Sequence, residues 1–357
     1  MALTRRAFGS ALAGAACFRS TLSAQRSSSD GSLTDVPGLR VGHWTDTRRP
    51  TGCTAILFDP DAAAGVDYDG SAPGETGIAM LQPVSPVETV HGLFLTGGGQ
   101  FGLAAHAGMI RYLEDQRRGF DWGGDVRVPI VPGAVIDDLA LGDPRIRPDP
   151  QSAYKACQAA TSGPVAEGNV GAGAGATVGR MLRTQTAGGM KGGLGSASLR
   201  LGDIVVSALA IVNAAGDVLD WRKGQIVAGA RVAGGRGFAD TVEVMKRSLA
   251  AGGGGVLHDP PLRSTTLIVV ATNITLTKTQ LTKVAMMANC GAARAIRPYH
   301  TTGDGDQLYA VSTRRLRRDD VNVTTVGTLA AEVVADAVLR GVTKASSVNG
   351  WPAAKDL

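Results

Sequence analysis

Apolar runs alternate along this chain with stretches in which apolar residues recur at helical spacing. Short runs rich in β-branched residues are typical of buried strands, and spacings of three and four residues are typical of helices. The pattern predicts strands at Thr54–Phe58, Gly92–Leu95, Val128–Val131, Asp203–Asn213, Thr265–Thr272 and Leu308–Ser312. It predicts helices at Gly102–Glu114, Gln151–Thr161, Ala172–Leu182, Asp240–Leu249, Lys278–Asn289 and Leu329–Arg340. The alternation indicates a mixed α/β fold.

A glycine- and proline-rich segment, Ala250–Ser264, interrupts this alternation. It contains the run Gly252–Gly255 and the pair Pro260-Pro261, which are strong loop signals. Because strands and helices are predicted on both sides, the loop lies within one domain and does not separate two. We therefore expect a single domain over residues 25–357.

Composition narrows the class of protein. The chain has 357 residues, of which 44% are hydrophobic and 19% charged, as in globular proteins. Its 49 glycines are about twice the average usage, and they do not recur with the three-residue period of collagen. We therefore expect many positions at which the backbone has a positive φ or at which another segment approaches it closely. Aromatic residues make up only 4%, and the basic run Arg314–Arg318 is followed at once by Asp319 and Asp320. We therefore expect no nucleic-acid partner.

The first 24 residues are typical of a signal peptide. A short charged start precedes a weakly apolar stretch at 7–18 and the small residues Ser23 and Ala24, and Arg5-Arg6 fits the twin-arginine pattern. A disordered basic tail is the alternative. Removing the segment lowers the net charge from +5 to +2. Since no other stretch is apolar enough to span a membrane, we expect a periplasmic or exported protein without a membrane partner.

Familiar cofactor and metal signatures are missing from the sequence. The cysteines beyond the signal segment and the five histidines are scattered without ligand spacing, so no disulfide framework and no metal site are expected. Gly171–Ala176 superficially resembles a dinucleotide loop, but Lys191 stands about where the acidic ribose ligand belongs. We expect no cofactor. A serine–histidine triad stays open, although no residues nominate one.

A nucleophile without a histidine partner can use its own α-amino group as the base. The ordinary pKa of an α-amine is about 7.7–8, against about 10.4 for lysine, so much of it is neutral near pH 7.5. The chain must then be cut directly before the nucleophile. Thr265 is suitably placed, because the flexible loop ends there and a rigid strand begins.

An ordered set of motifs over residues 32–345 resembles the DmpA/L-aminopeptidase D-esterase family, which includes β-aminopeptidases and nylon-oligomer hydrolases. The segments that carry the resemblance are Leu33–Trp44, Thr51–Thr54, Leu95–Leu103, Gly163–Gly173, Met190–Ser198, Ser264–Leu267, Val270–Asn273 and Pro298–Asp306. The resemblance implies an αββα sandwich of the self-cleaving, N-terminal-nucleophile type. It implies cleavage between Ser264 and Thr265, which would give an α chain, 25–264, and a β chain, 265–357.

The resemblance also implies the roles of individual residues. Thr265 would be the nucleophile, and Lys191 would be the lysine whose positive charge holds its hydroxyl. Asn213 would stabilise the oxyanion. Asp304 and Asp306 would lie on one face of an extended segment and anchor the new ammonium, Lys191 or a substrate amine.

Two departures from the family pattern concern the cleavage site and the substrate pocket. Ser264 stands where the family has asparagine, which makes it a rival nucleophile one residue earlier. The substrate segment that contains Gly98, Gly99 and Gln100 also differs from the family's Gly-Gly-Ser-Ala, so substrate choice does not transfer.

We expect hydrolysis of amide bonds in small amine-bearing peptides or amide oligomers through an acyl-threonine intermediate, by a homotetramer of cleaved α and β chains. Two alternatives are an uncleaved binding protein of the family and an acyl transferase that uses the same nucleophile.

Overall fold

The computed structural model describes residues 31–182, 186–234, 237–255, 264–348 and 350–357. The expected signal segment and residues 256–263 of the predicted loop lie outside the described residues. Across the described ranges, no helix has both the length and the apolar character needed to cross a membrane.

The elements alternate along the chain. In the described residues the strands are β1 (Leu39–Thr45), β2 (Gly52–Asp67), β3 (Glu75–Thr76), β4 (Val90–Thr96), β5 (Phe120–Gly123), β6 (Val126–Val128), β7 (Gly133–Val135), β8 (Thr177–Val178), β9 (Met190–Lys191), β10 (Gly193–Leu201), β11 (Ile204–Asn213), β12 (Asp217–Asp220), β13 (Gln225–Ala228), β14 (Thr265–Ile274), β15 (Ile296–Arg297) and β16 (Gln307–Leu316). The α-helices are α1 (Ile78–Leu81), α2 (His106–Asp115), α3 (Pro150–Gln158), α4 (Thr241–Ala250), α5 (Lys278–Ala295) and α6 (Val323–Thr343). Short 3-10 helices lie at Leu33–Asp35, Gly99–Ala105, Gly171–Gly173 and Ala354–Asp356.

The long strand β2 joins two sheets. Its first half pairs with β1 and β4, and β4 continues through β7 to β3. Its second half pairs with β16, which lies parallel to β14, and the sheet continues through β11 to β10. The two sheets are therefore continuous at one strand.

Three apolar clusters show that the sheets are stacked between two helical layers. One cluster packs α5 and α6 against the β10–β11–β14–β16 sheet, and another packs α2 and α3 against β2 and β4. The third takes residues from both sheets, among them Ile56 and Leu95 from one and Leu209, Leu267 and Val311 from the other. The resulting order is helix, sheet, sheet, helix, and the expected αββα sandwich is confirmed.

Strand β14 is buried on both faces. Leu267, Val269 and Ala271 point into the cluster between the sheets, whereas Ile268 and Val270 point toward α5 and α6. Burial on both faces explains why this strand is a continuous apolar run in the sequence.

Three sequence predictions of local structure need correction. Ala172–Leu182 is not a helix but a 3-10 turn followed by β8. Its small residues serve close backbone packing, since a Cβ on Gly173 would lie 2.5 Å from the Leu194 nitrogen. The strand predicted at Val128–Val131 ends at Val128, and the next begins at Gly133. The helix predicted over Gly102–Glu114 begins as the 3-10 helix Gly99–Ala105 and continues as α2.

Replacing Gly195 with alanine should destabilise the sandwich, because its Cβ would lie 2.2 Å from the Ala337 carbonyl oxygen on α6. We expect a loss of about 1–3 kcal/mol in the free energy of unfolding, measured by urea denaturation. Gly254→Ala is the control, since its Cβ would meet nothing within 4 Å, and we expect a change within about 0.5 kcal/mol. Equal losses in both variants would contradict the packing argument.

Candidate active site

Thr265 begins strand β14 and opens into a small pocket. Thr265 is 5% exposed to solvent, and the pocket has a volume of about 150 Å³. The lining residues are Ala72, Gly74, Gly99, Gln100, Val135, Asp137, Ser264, Thr265 and Gly303. The candidate nucleophile therefore lies in the wall of this pocket.

Two donors converge on the carbonyl oxygen of Ser264, at the expected cleavage site. The Thr265 hydroxyl donates to it at 2.7 Å, and the Gly305 backbone N–H donates to it at 2.9 Å. A Cβ on residue 305 would lie 2.8 Å from the Thr265 Oγ1 and 2.5 Å from the Ala72 carbonyl oxygen, so glycine is required there. From the sequence, Gly305 was expected to allow a close approach between the two aspartates, but its N–H was not predicted to donate to the Ser264 carbonyl oxygen.

The two predicted aspartates lie behind Thr265 and are not among the residues that line the pocket. The Asp306 Oδ1 accepts a hydrogen bond from the Thr266 N–H at 2.6 Å, and the Asp304 Oδ2 accepts one from the Thr301 N–H at 2.8 Å. Both residues are buried. Burial, and next the negative charge of Asp306, raise the pKa of Asp304 to about 7, although the bonds from Thr301 act in the opposite direction. The surroundings of Asp304 therefore favour the protonated form of its carboxyl group.

Asn213 lies directly opposite Thr265 in the antiparallel register of β11 and β14. Its Oδ1 accepts a hydrogen bond from the Thr177 N–H at 3.0 Å, and the Arg180 guanidinium lies 3.4 Å from the same oxygen. Its Nδ2 donates to the carbonyl oxygen of Asp137, a pocket residue, at 3.3 Å. The contacts to Oδ1 fix the orientation of the amide, so its Nδ2 points to the backbone of Asp137. Sequence reasoning missed Arg180.

Lys191 is fully buried on β9 and pairs with Thr177 of β8. Its Nζ donates to the carbonyl oxygens of Ala176 and Gly192 at 2.8 Å and to that of Gly173 at 3.3 Å. Burial lowers the pKa of this amine to about 7. The expected bond from Lys191 to the Thr265 hydroxyl is not present in the uncleaved chain, because the three carbonyls occupy the donors of the ammonium group.

A buried ion pair supports the predicted substrate segment. Asp138 pairs with Arg49, and both side chains are fully buried. The Asp138 Oδ1 accepts a hydrogen bond from the Gly98 N–H at 2.9 Å. Gly99 and Gln100 line the pocket, whereas Gly98 lies behind its wall. The ion pair therefore positions one wall of the pocket.

Two further observations concern alternative chemistry. The Ser264 hydroxyl is buried and forms no hydrogen bond with the described residues, so the structure assigns no base to this rival nucleophile.

In the part of the chain that the structure describes, no group of three or more His, Cys, Asp or Glu side chains is arranged to hold a metal ion.

The stacked sheets and the threonine at a strand end place the protein in the class of Ntn-hydrolase folds, and its relatives assign it to hydrolases of amide bonds. The chain belongs to peptidase family S58, whose family model matches residues 31–355.

Relatives of known name support this assignment. An uncharacterized aminopeptidase of Mycobacterium leprae is 36% identical over 90% of this chain and 92% of its own length. A 6-aminohexanoate-oligomer endohydrolase of a Kocuria species is 31% identical, with 85% of this chain and 84% of the enzyme covered. The structure of an L-aminopeptidase D-Ala-esterase/amidase from Ochrobactrum anthropi has the same fold, with a TM-score of 0.61 and 24% identity, and covers 88% of this chain and 86% of that one.

Lys191 makes stability depend on pH in a defined direction. Because the folded pKa is about 7 and the unfolded value about 10.5, the unfolded chain binds more protons between these limits, and stability rises with pH. We compare two proteins that both carry Thr265→Ala, which keeps the chain uncut: one with Lys191 and one with Lys191→Met. Between pH 7 and pH 9.5, we expect the free energy of unfolding of the protein with Lys191 to rise by about 3 kcal/mol relative to the other. Urea denaturation at both pH values measures this, and a difference that does not change with pH would contradict it.

Proposed function

We propose that the chain is a precursor that cleaves itself between Ser264 and Thr265 and then hydrolyses amide bonds in small amine-bearing peptides or amide oligomers. The observation that carries this proposal is the pair of donors on the Ser264 carbonyl oxygen, from Gly305 and from the Thr265 hydroxyl. The Thr265 hydroxyl thus lies 2.7 Å from the oxygen of the carbonyl group that it would attack.

In the self-cleavage step, the Thr265 Oγ1 attacks the carbonyl carbon of Ser264, and the C–N bond to the Thr265 nitrogen breaks. The hydroxyl proton ends on that nitrogen, and the Ser264 acyl group is held as an ester until water hydrolyses it. The Gly305 N–H, at 2.9 Å, is within the range of donors that stabilise a developing oxyanion. The products are an α chain that ends at Ser264 and a β chain that begins with a free threonine amine.

In turnover, the new α-amine serves as the base for the Thr265 hydroxyl. The hydroxyl attacks a substrate amide, the amine product leaves, and water hydrolyses the acyl-threonine ester. Asn213 donates its Nδ2 to the substrate oxyanion in this proposal. Its position opposite Thr265 and the hydrogen bond from Nδ2 to the backbone of Asp137, a pocket residue, support this role. The proposed mechanism therefore uses Thr265, which lines the pocket, and Asn213, which lies opposite it on β11.

The amine of the substrate is a cation at neutral pH and needs an anionic partner. Asp304 and Asp306 are buried away from the pocket, but Asp137 lines it, and its carboxyl carbon is 3.9 Å from the ideal Cβ position of Gly99. We therefore assign recognition of the substrate amine to Asp137. Amine-bearing substrates agree with the names of the relatives, an aminopeptidase and a 6-aminohexanoate-oligomer endohydrolase.

Export and assembly are separate proposals. The twin-arginine segment supports export to the periplasm or beyond, and the family resemblance supports a homotetramer of cleaved chains. Mass spectrometry of the mature N-terminus from the native host tests export, because it shows whether the signal segment has been removed. Sedimentation of the purified protein measures its oligomeric state.

Self-cleavage should be visible on denaturing electrophoresis. We expect the purified wild-type chain to give two bands, with a β chain of 93 residues whose N-terminus, read by mass spectrometry, is Thr265. Thr265→Ala should give a single band, and Thr265→Ser, which keeps a hydroxyl, should still cleave.

Other outcomes select the alternatives. A single wild-type band after long incubation would favour an uncleaved binding protein, and a β chain that begins at Ser264 would move the nucleophile by one residue. If added amines capture the acyl group in preference to water, the enzyme is an acyl transferase.

Asp137→Asn should weaken recognition of the substrate amine. A hydrogen bond to a charged group contributes about 1.5–3 kcal/mol, so we expect kcat/KM for a free-amine peptide amide to fall roughly 10- to 100-fold. The acetylated form of the same substrate should be hydrolysed equally by both proteins. Asp121→Asn, on the exposed β5–β6 hairpin, is the control and should change neither rate. An equal loss on both substrates would assign Asp137 a general structural role.

A further inference from the structure

The hairpin of β5 and β6 carries an exposed cluster of large apolar side chains. These residues are Phe120, Trp122, Val126 and Val128, and they are between 38% and 74% exposed. The other exposed large apolar residues of the described chain lie singly on separate segments, namely Tyr68, Val84, Phe101, Leu201, Val232, Leu249, Met286 and Leu357. Single exposed apolar residues are ordinary, whereas a cluster of them indicates an interaction surface.

Strand pairing places the four side chains on one face of the hairpin. Phe120 lies directly opposite Val128. Nearer the turn, β5 contains a bulge, where Trp122 and the residue after it together lie opposite Val126. Because successive side chains of a strand point to opposite faces, the four apolar side chains share one face. We call this surface the hairpin face.

The opposite side of the hairpin carries the charges of the two strands. Asp121 and Arg127 lie opposite each other between the apolar positions, and an ion pair of 2.6 Å joins their side chains. The Asp121 Oδ1 also accepts a hydrogen bond from the Gly123 N–H at 2.9 Å. The hairpin face is therefore uncharged, and the charges on the other side satisfy each other.

Both ends of the hairpin are fixed to the body of the protein. Before β5, the Arg118 guanidinium donates to the carbonyl oxygens of Phe58 and Pro60. After β6, the Ile130 N–H donates to the His91 Nδ1 at 3.1 Å, and the Ile130 carbonyl oxygen accepts from the His91 N–H at 2.8 Å. Among the described strands, β5 and β6 pair only with each other. The hairpin face therefore belongs to an element that is already in place, and a partner need not order it on binding.

We propose that two copies of the chain pair through the hairpin face, about a two-fold axis. A two-fold pair brings the same surface of each copy together, so that surface must be complementary to itself. An uncharged face of aromatic and β-branched side chains meets this condition. The pairing sets the aromatic rings of one copy against apolar side chains of the other. It leaves the Asp121–Arg127 ion pair on the side that faces water.

The area of the hairpin face agrees with this occupant. With roughly 200 Å² for a fully exposed aromatic side chain, and less for valine, the exposed fractions correspond to about 400 Å² of apolar surface. Two such faces together bury about 800 Å², which is most of the roughly 1,000 Å² that a specific interface needs. The polar rim that surrounds the apolar centre of an interface supplies the rest.

The charge of the hairpin favours a second copy over a lipid surface. Residues 120–128 contain two acidic residues, Asp121 and Asp125, and one basic residue, Arg127. They lack the excess of basic residues that attracts a protein surface to anionic lipids. The inference names a surface for the proposed assembly, and it rests on neither self-cleavage nor amide hydrolysis.

Sedimentation of the purified full chain tests the pairing, both in the wild type and in Thr265→Ala. We expect the double variant Phe120→Ser/Trp122→Ser to halve the mass of the assembly, because truncating central aromatic residues of an interface raises Kd by about 30-fold or more. The control Val84→Ser/Leu201→Ser removes two exposed apolar side chains elsewhere and should keep the wild-type mass. Circular dichroism should show that both variants are folded, since the altered side chains are exposed.

Cross-linking locates the contact. Cys290 is the exposed cysteine of the described chain, whereas Cys53 and Cys157 are buried, so the background for this test is Cys290→Ser. In that background, Val126→Cys should be joined between two copies by a short bis-maleimide, and Leu201→Cys should not. Adding Phe120→Ser/Trp122→Ser should abolish the cross-linked dimer.

Three results would overturn the inference. The first is a wild-type chain that sediments as a monomer at its highest soluble concentration, and the second is an assembly whose mass the hairpin variant leaves unchanged. The third is a monomeric wild-type chain that binds phosphatidylglycerol vesicles through the hairpin face, which would assign that face to a membrane. None of them bears on the proposed hydrolase, because denaturing electrophoresis measures self-cleavage separately.

Discussion

The active site depends on the close approach of two parallel chain segments at the point where β14 and β16 begin. Ser264 and Asp304 form a bridge there, and the Gly305 N–H donates to the Ser264 carbonyl oxygen. The Thr265 hydroxyl reaches the same oxygen because residue 305 has no Cβ. One contact between backbones thus brings a donor to the Ser264 carbonyl oxygen, holds the proposed nucleophile beside it and brings both aspartates close to Thr265.

Buried charges position the site around this contact. Lys191 donates hydrogen bonds from its Nζ to three carbonyl oxygens. Asp138, which is paired with Arg49, accepts a hydrogen bond from the Gly98 N–H. Desolvation of such groups is costly and is offset only where geometry and hydrogen bonds are good. The three apolar clusters of the sandwich supply the rigid surroundings that keep these groups in place.

Sequence reasoning proposed Thr265 as the nucleophile because this residue stands at a change of local character, where a glycine- and proline-rich loop meets a β-branched strand. Lys191, Asn213 and the aspartates came from the ordered motifs of the family. Arg180, Asp137 and the donor role of Gly305 were missed, since their contacts join segments far apart in the chain. The prediction of a helix at Ala172–Leu182 was wrong. The small residues there allow close backbone packing, but in a single sequence their spacing looks like that of a helix.

The sequence by itself determined most helices of the sandwich and the location of its buried strands β2, β4, β11, β14 and β16, because hydrophobic periodicity reports which faces are buried. Strands β1 and β10 were not predicted. It also determined the family, because the order of its motifs is specific. Only the tertiary structure decided which donors reach the Ser264 carbonyl, which carboxyl groups line the pocket and which lie behind it. These distances depend on the register of strands that are distant in sequence, and no local pattern encodes that register.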